Sequence, residues 1–426
     1  MKRLPIGMAV VAMFATSAAL AQDSGFSLKG FGTLGVAHSD STEADFAGAP
    51  TVYQLDGAGR TRQTAFGVDS KIGVQADWKI TPNLNLTVQG LSKHRADGSY
   101  NPEVEWAFAK YSINSNLDVR VGRIRPAVYL LSDFLDVNFA NSWVRPPLEF
   151  YASAPITRME GIDVLWRQSF GDISLLIQPY VGTTEKFDLP SPTDTIQMKK
   201  VFGFNAVATT GDFTYRAGYI QTKVTYSAPG LAPVLGALAA ICTNFKDPAA
   251  CAQGPALAPV DKSASFASVG AAYDNGEYFV STEYGKRATD SMINDGTTYY
   301  VSGGARIGKF TPYVTYSAFK NDSPISFTGG TFKGMAGVPL PPTDTVVSGV
   351  MLQGAQSMLD QHSLTIGVRF DIAQNIALKA QWDLVETDRI NGQAGTGGGM
   401  FRRTTDAFNN TDNTVKVISF ALDFVF

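Results

Sequence analysis

The chain has 426 residues, with 35 basic and 38 acidic side chains and a formal net charge of −3. Charged residues make up 17% of it, well below the roughly 25% of an ordinary soluble protein. A mean hydropathy of −0.02 argues against both a helical membrane protein and a disordered chain. The balanced charge disfavours a nucleic-acid binder, and three histidines with two cysteines leave little material for a metal site. We therefore predict neither a metal nor a cofactor.

The N-terminus has the pattern of a secretory signal peptide. Lys2 and Arg3 precede an apolar stretch, and Ala19-Leu20-Ala21 fits a cleavage site. We predict a signal peptide over 1–21 and one β-barrel domain over 22–426. A membrane anchor helix is the alternative, but the stretch is short for a span of about 20 residues. No later run reaches about 18 apolar residues, so any crossing of a membrane would use strands.

Segments of about ten residues with alternating polarity recur along the rest of the chain, as in membrane barrels. Sixteen candidate strands result: 26–37, 65–79, 84–95, 102–113, 117–125, 158–170, 173–181, 199–210, 213–224, 263–274, 277–287, 297–308, 310–320, 360–372, 376–387 and 413–426. Short turns such as Asn275-Gly276 alternate with loops that are mostly long, and Asn-Gly is a strong hairpin signal. The pattern predicts an all-β, 16-stranded antiparallel transmembrane barrel with short periplasmic turns and long extracellular loops.

The two faces of the predicted strands differ in polarity. In the last strand Ile418, Phe420 and Leu422 alternate with Ser419 and Asp423. Charges also occur in the middle of strands, as at Lys71 and Arg369, where burial without water would be costly. The apolar faces are therefore predicted to contact lipid and the polar faces a water-filled interior.

The third long loop, 126–157, is a candidate constriction. Leu130, Leu131, Phe134 and Leu135 have helical spacing after Pro126. Sixteen strands leave an aqueous channel, which this loop would narrow by folding inward and packing its Leu/Phe face on the wall. Its predicted acidic residues are Asp133, Asp136 and Glu149, and the predicted basic wall consists of Lys71, Arg120, Arg123, Arg125, Arg216, Arg306 and Arg369. The alternative is a surface loop that caps the mouth.

The chain resembles the trimeric general-diffusion porins of the Gram-negative outer membrane over essentially all of 22–426. The resemblance rests on the signal peptide, the opening segment 26–35, sixteen strands, the long third loop and the terminal Phe420-Ala-Leu-Asp-Phe-Val-Phe426. It implies a homotrimer among outer-membrane lipids and lipopolysaccharide. It also implies that Phe420, Phe424 and Phe426 form the signal for the barrel-assembly machinery. Because Arg123 and Arg125 share a strand face with Val119 and Val121, a bulge near Gly122 is needed to turn them inward.

The remaining motifs favour structural roles. Cys242 and Cys251 lie nine residues apart in the fifth loop, and export favours a disulfide between them. No G-x-S-x-G motif is present, and we predict no enzyme activity.

Three functions remain open at this stage. The leading one is an outer-membrane porin for passive diffusion of ions and small hydrophilic solutes. A substrate-selective channel is the second, with Tyr129 and Tyr313 in an aromatic cage. A structural or adhesive barrel with a closed interior is the third.

Overall fold

The computed structural model describes residues 25–48, 54–189, 194–227, 229, 232–246, 248, 251, 255, 258–290, 295–323, 360–388, 400–409 and 411–426. The predicted signal peptide lies outside these residues, as does most of the loop between 321 and 359. Within the described ranges, no helix is both long and apolar enough to span a membrane.

Sixteen long antiparallel strands form one closed sheet. They are β1 (Phe26–Ser39), β2 (Lys71–Thr81), β3 (Leu84–Lys93), β4 (Glu103–Asn114), β5 (Leu117–Ile124), β6 (Met159–Phe170), β7 (Ile173–Thr183), β8 (Thr195–Thr210), β9 (Phe213–Ser227), β10 (Lys262–Asp274), β11 (Tyr278–Thr289), β12 (Asp295–Ala305), β13 (Phe310–Ser323), β14 (Asp360–Ala373), β15 (Ile376–Asp388) and β16 (Asn413–Val425). Each pairs with the next, and β1 pairs with β16. The predicted 16-stranded barrel is thus confirmed.

The closing seam depends on two glycines of β1. Gly32 pairs with Phe424, and a Cβ atom on Gly32 would lie 2.4 Å from the Phe424 ring. A Cβ atom on Gly30 would lie 2.2 Å from the ring of Phe426. The rings of Phe424 and Phe426 therefore pack directly over backbone that only glycine leaves open.

Strand polarity matches the expected alternation. On β16, Ile418 and Phe420 are 45% and 55% exposed, whereas Ser419 and Asp423 are fully buried. On a closed barrel the exposed side is the outer surface, so the large exposed apolar side chains form an outer belt suited to lipid.

One strand begins later than the sequence pattern indicates. The second segment was expected from residue 65, but β2 begins at Lys71 after a separate two-residue strand, Thr64–Ala65. The Ser70 hydroxyl accepts a hydrogen bond from the Gly35 backbone N–H and donates one to the Phe66 carbonyl. These bonds hold a turn between the two segments, which the polarity of the side chains does not reveal.

The longer connections carry the remaining elements. Three two-residue strands, Asp45–Phe46, Ala58–Gly59 and Phe401–Arg402, form a small second sheet. Three helices lie wholly within the described residues: α1 (Leu148–Tyr151), α2 (Ala232–Phe245) and α3 (Asp406–Asn409). Cys242 at the end of α2 is bonded to Cys251, with an S–S distance of 2.05 Å, so the predicted disulfide is present.

Candidate pore constriction

The third loop folds into the barrel and contacts lumen-facing side chains around most of its circumference. It contains two 3-10 turns, Ser132–Phe134 and Asn138–Ala140, and the short helix α1. The Arg216 side chain on β9 donates to the Ala127 carbonyl at 2.9 Å. On β15, Lys379 donates to the Asn138 and Trp143 carbonyls at 2.6 and 2.8 Å. The loop is thus an internal element rather than a cap over the mouth.

Arg145 fixes the middle of this loop to two strands and to the turn before β2. Its guanidinium donates to Asp69, just before β2, at 2.6 and 2.9 Å, and to Asp383 on β15 at 2.9 Å. It also donates to the Ser419 hydroxyl on β16 at 2.6 Å. Burial alone lowers the pKa of Arg145, but Asp69 and Asp383 more than offset it, so the pKa is raised. The group is therefore a permanent buried cation.

Glu149 on α1 makes the second anchor and does not face the channel. Only 1% of the residue is exposed. Its carboxylate accepts hydrogen bonds from Ser317, Ser363 and Gln361 of the wall. Among the described residues it has no ion-pair partner within 4 Å. Burial raises the pKa of Glu149, and these hydrogen bonds lower it only in part.

This unpaired carboxylate gives a pH-dependent stability with a definite sign. A carboxyl whose pKa is raised in the folded protein destabilises the fold as the pH rises above its unfolded value. Glu149→Gln should therefore raise the stability of the barrel at pH 8 by about 1 kcal/mol, the scale of one polar group. The gain should vanish near pH 4, where the side chain at position 149 is neutral in the folded wild type as well as in the variant. Thermal unfolding in detergent at both pH values measures this difference.

Asp133→Asn is the matched control, since this residue lies in the same loop but is exposed. Its effect on the unfolding temperature should be small at both pH values. A Glu149→Gln variant that loses stability at pH 8 would contradict the expectation.

Asp136 is also buried, but it is fully neutralised. Its carboxylate contacts Arg125 at 2.5 Å and Lys93 at 3.1 Å. Lys71 donates to the nearby Asn138 side chain at 3.1 Å. Burial raises the pKa of Asp136, but Lys93, Arg125 and Lys71 together bring it well below its usual range. Asp136 therefore holds the loop to β3 and to the end of β5 as an anion at physiological pH.

A second cluster fixes the two ends of the loop. Arg125 and Arg158 flank residues 126–157 on either side, and both contact Glu105 of β4, at 3.7 and 3.0 Å. Glu105 is an extra residue in β4, since Gln89 pairs with Trp106 and Gly90 with Val104. A β-bulge of this kind turns the additional side chain inward. This bulge therefore places one carboxylate between both ends of the loop.

The bulge expected near Gly122 is absent, and Arg123 was wrongly placed on the basic wall. Pairing there is regular, with Phe108 opposite Gly122 and Ala107 opposite Arg123. Arg123 consequently shares the face of the half-exposed Val121. Its guanidinium pairs with Glu160 and Glu185 at 2.6 and 3.1 Å. Arg125 does turn inward, but beneath the loop, where only 4% of it is exposed.

The other wall residues fall into three groups. Lys71, Arg216 and Arg369 donate to the loop itself; Arg369 contacts the Phe139 and Asn141 carbonyls. Arg306 follows β12 at the end with the short turns, where it pairs with Asp274 at 2.6 Å. Arg120 on β5 lies over the Phe108 ring at 5.1 Å and pairs with Asp163. Arg120 thus pairs with a carboxylate of the wall rather than with the third loop.

Asp133 is the loop carboxylate that stays free. It is exposed, it has no ion pair among the described residues, and it interacts electrostatically with Arg120. Phe134 beside it is 54% exposed, although Leu131 and Leu135 pack on the buried cluster between loop and wall. The expectation that Phe134 packs on the wall was wrong. The geometry leaves one acid and one aromatic ring of this loop segment facing the lumen.

Tyr129 and Tyr313 cannot form the aromatic cage that a selective channel was expected to have. They are 5% and 4% exposed and belong to the buried cluster between loop and wall. The Tyr313 hydroxyl donates to Gln381, whose side-chain oxygen also accepts from the Val144 backbone N–H. Trp143 and Lys379, which the sequence did not single out as site residues, anchor the same segment.

This architecture is similar to that of known proteins. A family model described as Gram-negative porin matches residues 179–390. No curated protein shows a detectable sequence match. The outer membrane channel DcaP of Acinetobacter baumannii superposes with a TM-score of 0.54 at 11% identity, over 95% of this chain and 99% of that one. The anion-selective porin from Comamonas acidovorans gives 0.53 at 11% identity, over 95% and 100%.

A third solved structure is the trimer form of OmpT, an outer membrane protein of Vibrio cholerae. It gives a TM-score of 0.50 at 11% identity, over 94% of this chain and 99% of that one. At such identities the likeness establishes the fold alone. The closed barrel, its internal loop and the family match together define an outer-membrane channel. The chain is a Gram-negative porin.

Proposed function

We propose that the mature barrel is a passive channel for water, ions and small hydrophilic solutes. The observation that carries this proposal is the state of the third loop. Two of its three acids, Asp136 and Glu149, are buried and anchor the loop to the wall. The third, Asp133, stays exposed and interacts with Arg120. Asp133 therefore adds a fixed negative charge to the lumen, and fixed charges that line a pore sort ions by sign.

A general channel is favoured over a substrate-selective one. The two tyrosines that would have formed a cage are buried between loop and wall. Within the third loop Phe134 is the exposed aromatic ring, and one ring does not form a ladder. A structural or adhesive barrel with a closed interior is the third possibility, and an open-channel current would exclude it.

Planar-bilayer recording tests the proposal directly. The purified protein should give discrete steps of conductance that scale with the salt concentration. Addition of candidate sugars, amino acids or organic acids should not block the current at low concentration. The absence of open-channel current from correctly folded protein would overturn the channel, and micromolar block by one solute class would favour the selective alternative.

The cellular setting forms part of the same proposal. Residues 1–21 direct export and are removed, and Phe420, Phe424 and Phe426 are recognised by the barrel-assembly machinery. The mature chain lies in the outer membrane among its lipids and lipopolysaccharide. The trimer form of the Vibrio cholerae protein with this fold supports a homotrimer.

A further inference from the structure

The outer faces of β8 and β9 change from apolar to basic near the ends that lead into the long loops. Starting from the short turn, the outward pairs are Thr210 with Phe213, Ala208 with Tyr215, Ala206 with Ala217, Phe204 with Tyr219 and Phe202 with Gln221. Phe202 and Phe204 are 52% and 41% exposed, so this part of the column belongs to the apolar outer belt. The next outward pair is Lys199 with Lys223.

A bulge adds a third lysine at this level. The register shifts between Lys199 and Phe202, and Lys200 within the shift has a φ of 51°. A non-glycine residue rarely adopts a positive φ. Both Lys199 and Lys200 are exposed. The bulge therefore allows two consecutive side chains of β8 to face outward, where a regular strand would show only one.

The three lysines are not neutralised by any carboxylate that the structure describes. Two like charges directly opposite each other on neighbouring strands destabilise a sheet. Among the described residues none of the three forms an ion pair with a carboxylate. Lys223 donates to the Ser263 hydroxyl at 2.6 Å, which is a neutral partner. The cluster thus carries about three positive charges without an anion from the described part of the chain.

The position of the lysines along the strands indicates which kind of molecule supplies their anionic partner. β8 has 16 residues and β9 has 15, whereas a tilted strand crosses the hydrocarbon with about 9–11. The loop ends of both strands therefore extend into the headgroup layer. Phe202 and Phe204, just below the lysines, mark the edge of the hydrocarbon, where aromatic rings concentrate.

We propose that Lys199, Lys200 and Lys223 form a binding site on the outer wall of the barrel for a phosphate group of lipopolysaccharide. An acyl chain of the same lipid would lie on the apolar column below, so one molecule satisfies both parts of the surface. This inference rests on the proposed outer-membrane setting, with the long loops outside. It does not depend on whether the interior conducts.

The test compares lipopolysaccharide with its enzymatically dephosphorylated form, bound to the intact detergent-solubilised protein and measured by native mass spectrometry or thermophoresis. Each lysine near an anionic surface contributes a factor of about five. Lys199→Gln/Lys223→Gln should therefore weaken binding of the phosphorylated lipid roughly twentyfold. Binding of the dephosphorylated form should be weak to both proteins. Lys199→Arg/Lys223→Arg should keep most of the affinity, because arginine also binds phosphate.

Lys79→Gln/Lys309→Gln is the matched control, because it removes the same charge near the end of the barrel with the short turns. Retained folding is checked by the resistance of the barrel to detergent unfolding. Equal loss of affinity in the control pair would show a nonspecific charge effect and overturn the site. So would unchanged affinity in Lys199→Gln/Lys223→Gln, or equal binding of the dephosphorylated lipid.

Single-channel conductance separates this inference from the proposed function. The lysines lie on the outer surface, so their variants should conduct as the wild type does. Loss of lipid binding with normal conductance would support the site. A barrel that carries no current but binds phosphorylated lipid through these lysines would refute the channel and leave the site intact.

Discussion

Replacing Asp133 by asparagine should shift the ion preference of the channel toward anions by about two- to fivefold in permeability ratio. Removal of one charge about 4–8 Å from the ion path in a water-filled lumen changes the ion's energy by roughly 0.5–1 kcal/mol. The exposed carboxylate of Asp133 has no ion pair among the described residues, so its replacement removes a full negative charge from the lumen. The reversal potential across a tenfold salt gradient measures the change.

Glu149→Gln is the matched control, because it is the same kind of substitution in the same loop. Glu149 is buried against the wall, so its replacement should leave the reversal potential close to the wild-type value. The Asp133→Asn shift should also shrink at 1 M salt, where the Debye length is about 3 Å. Equal shifts in the two variants, or none in Asp133→Asn, would show that Asp133 does not face the ion path.

The barrel could be predicted because its signals are local and repeated. Alternation of polarity, about ten residues per strand and turn residues such as Asn275-Gly276 each act over a few positions, and sixteen repetitions reinforce one another. The strand boundaries were predicted wrongly where a single hydrogen bond determines the local geometry. The Ser70 turn that delays β2 depends on the backbone of Gly35 in another strand, which no pattern within residues 65–79 reveals.

The constriction was predicted less well, because it depends on pairings between distant residues. The sequence offers Asp133, Asp136 and Glu149 as equivalent acids. Only the folded loop shows that Asp136 meets Arg125 and Lys93, whereas Glu149 meets neutral donors. The position of the bulge was also predicted wrongly. The bulge lies at Glu105 in β4 and not at Gly122 in β5. The three carboxylates are chemically alike in the sequence, and their burial in the folded loop distinguishes their roles.

The anchoring of the loop predicts the largest effect on stability. Arg145→Met removes the cation that Asp69 and Asp383 share, and both carboxylates stay buried. Removal of one partner from a buried ion pair costs about 3–5 kcal/mol. We expect a lower unfolding temperature in detergent. We also expect a noisier and larger single-channel current, because the loop loses its contacts with Asp69, with Asp383 of β15 and with Ser419 of β16.

Two comparisons separate loss of the anchor from general damage to the barrel. Arg306→Met removes an exposed arginine that pairs with Asp274, and such pairs contribute only about 0–1 kcal/mol. Its stability and current should stay close to those of the wild type. Adding Asp69→Asn and Asp383→Asn to Arg145→Met should recover much of the lost stability, because the buried charges are then gone. If the triple variant were as unstable as Arg145→Met, packing of the arginine stem rather than its charge would hold the loop in the lumen.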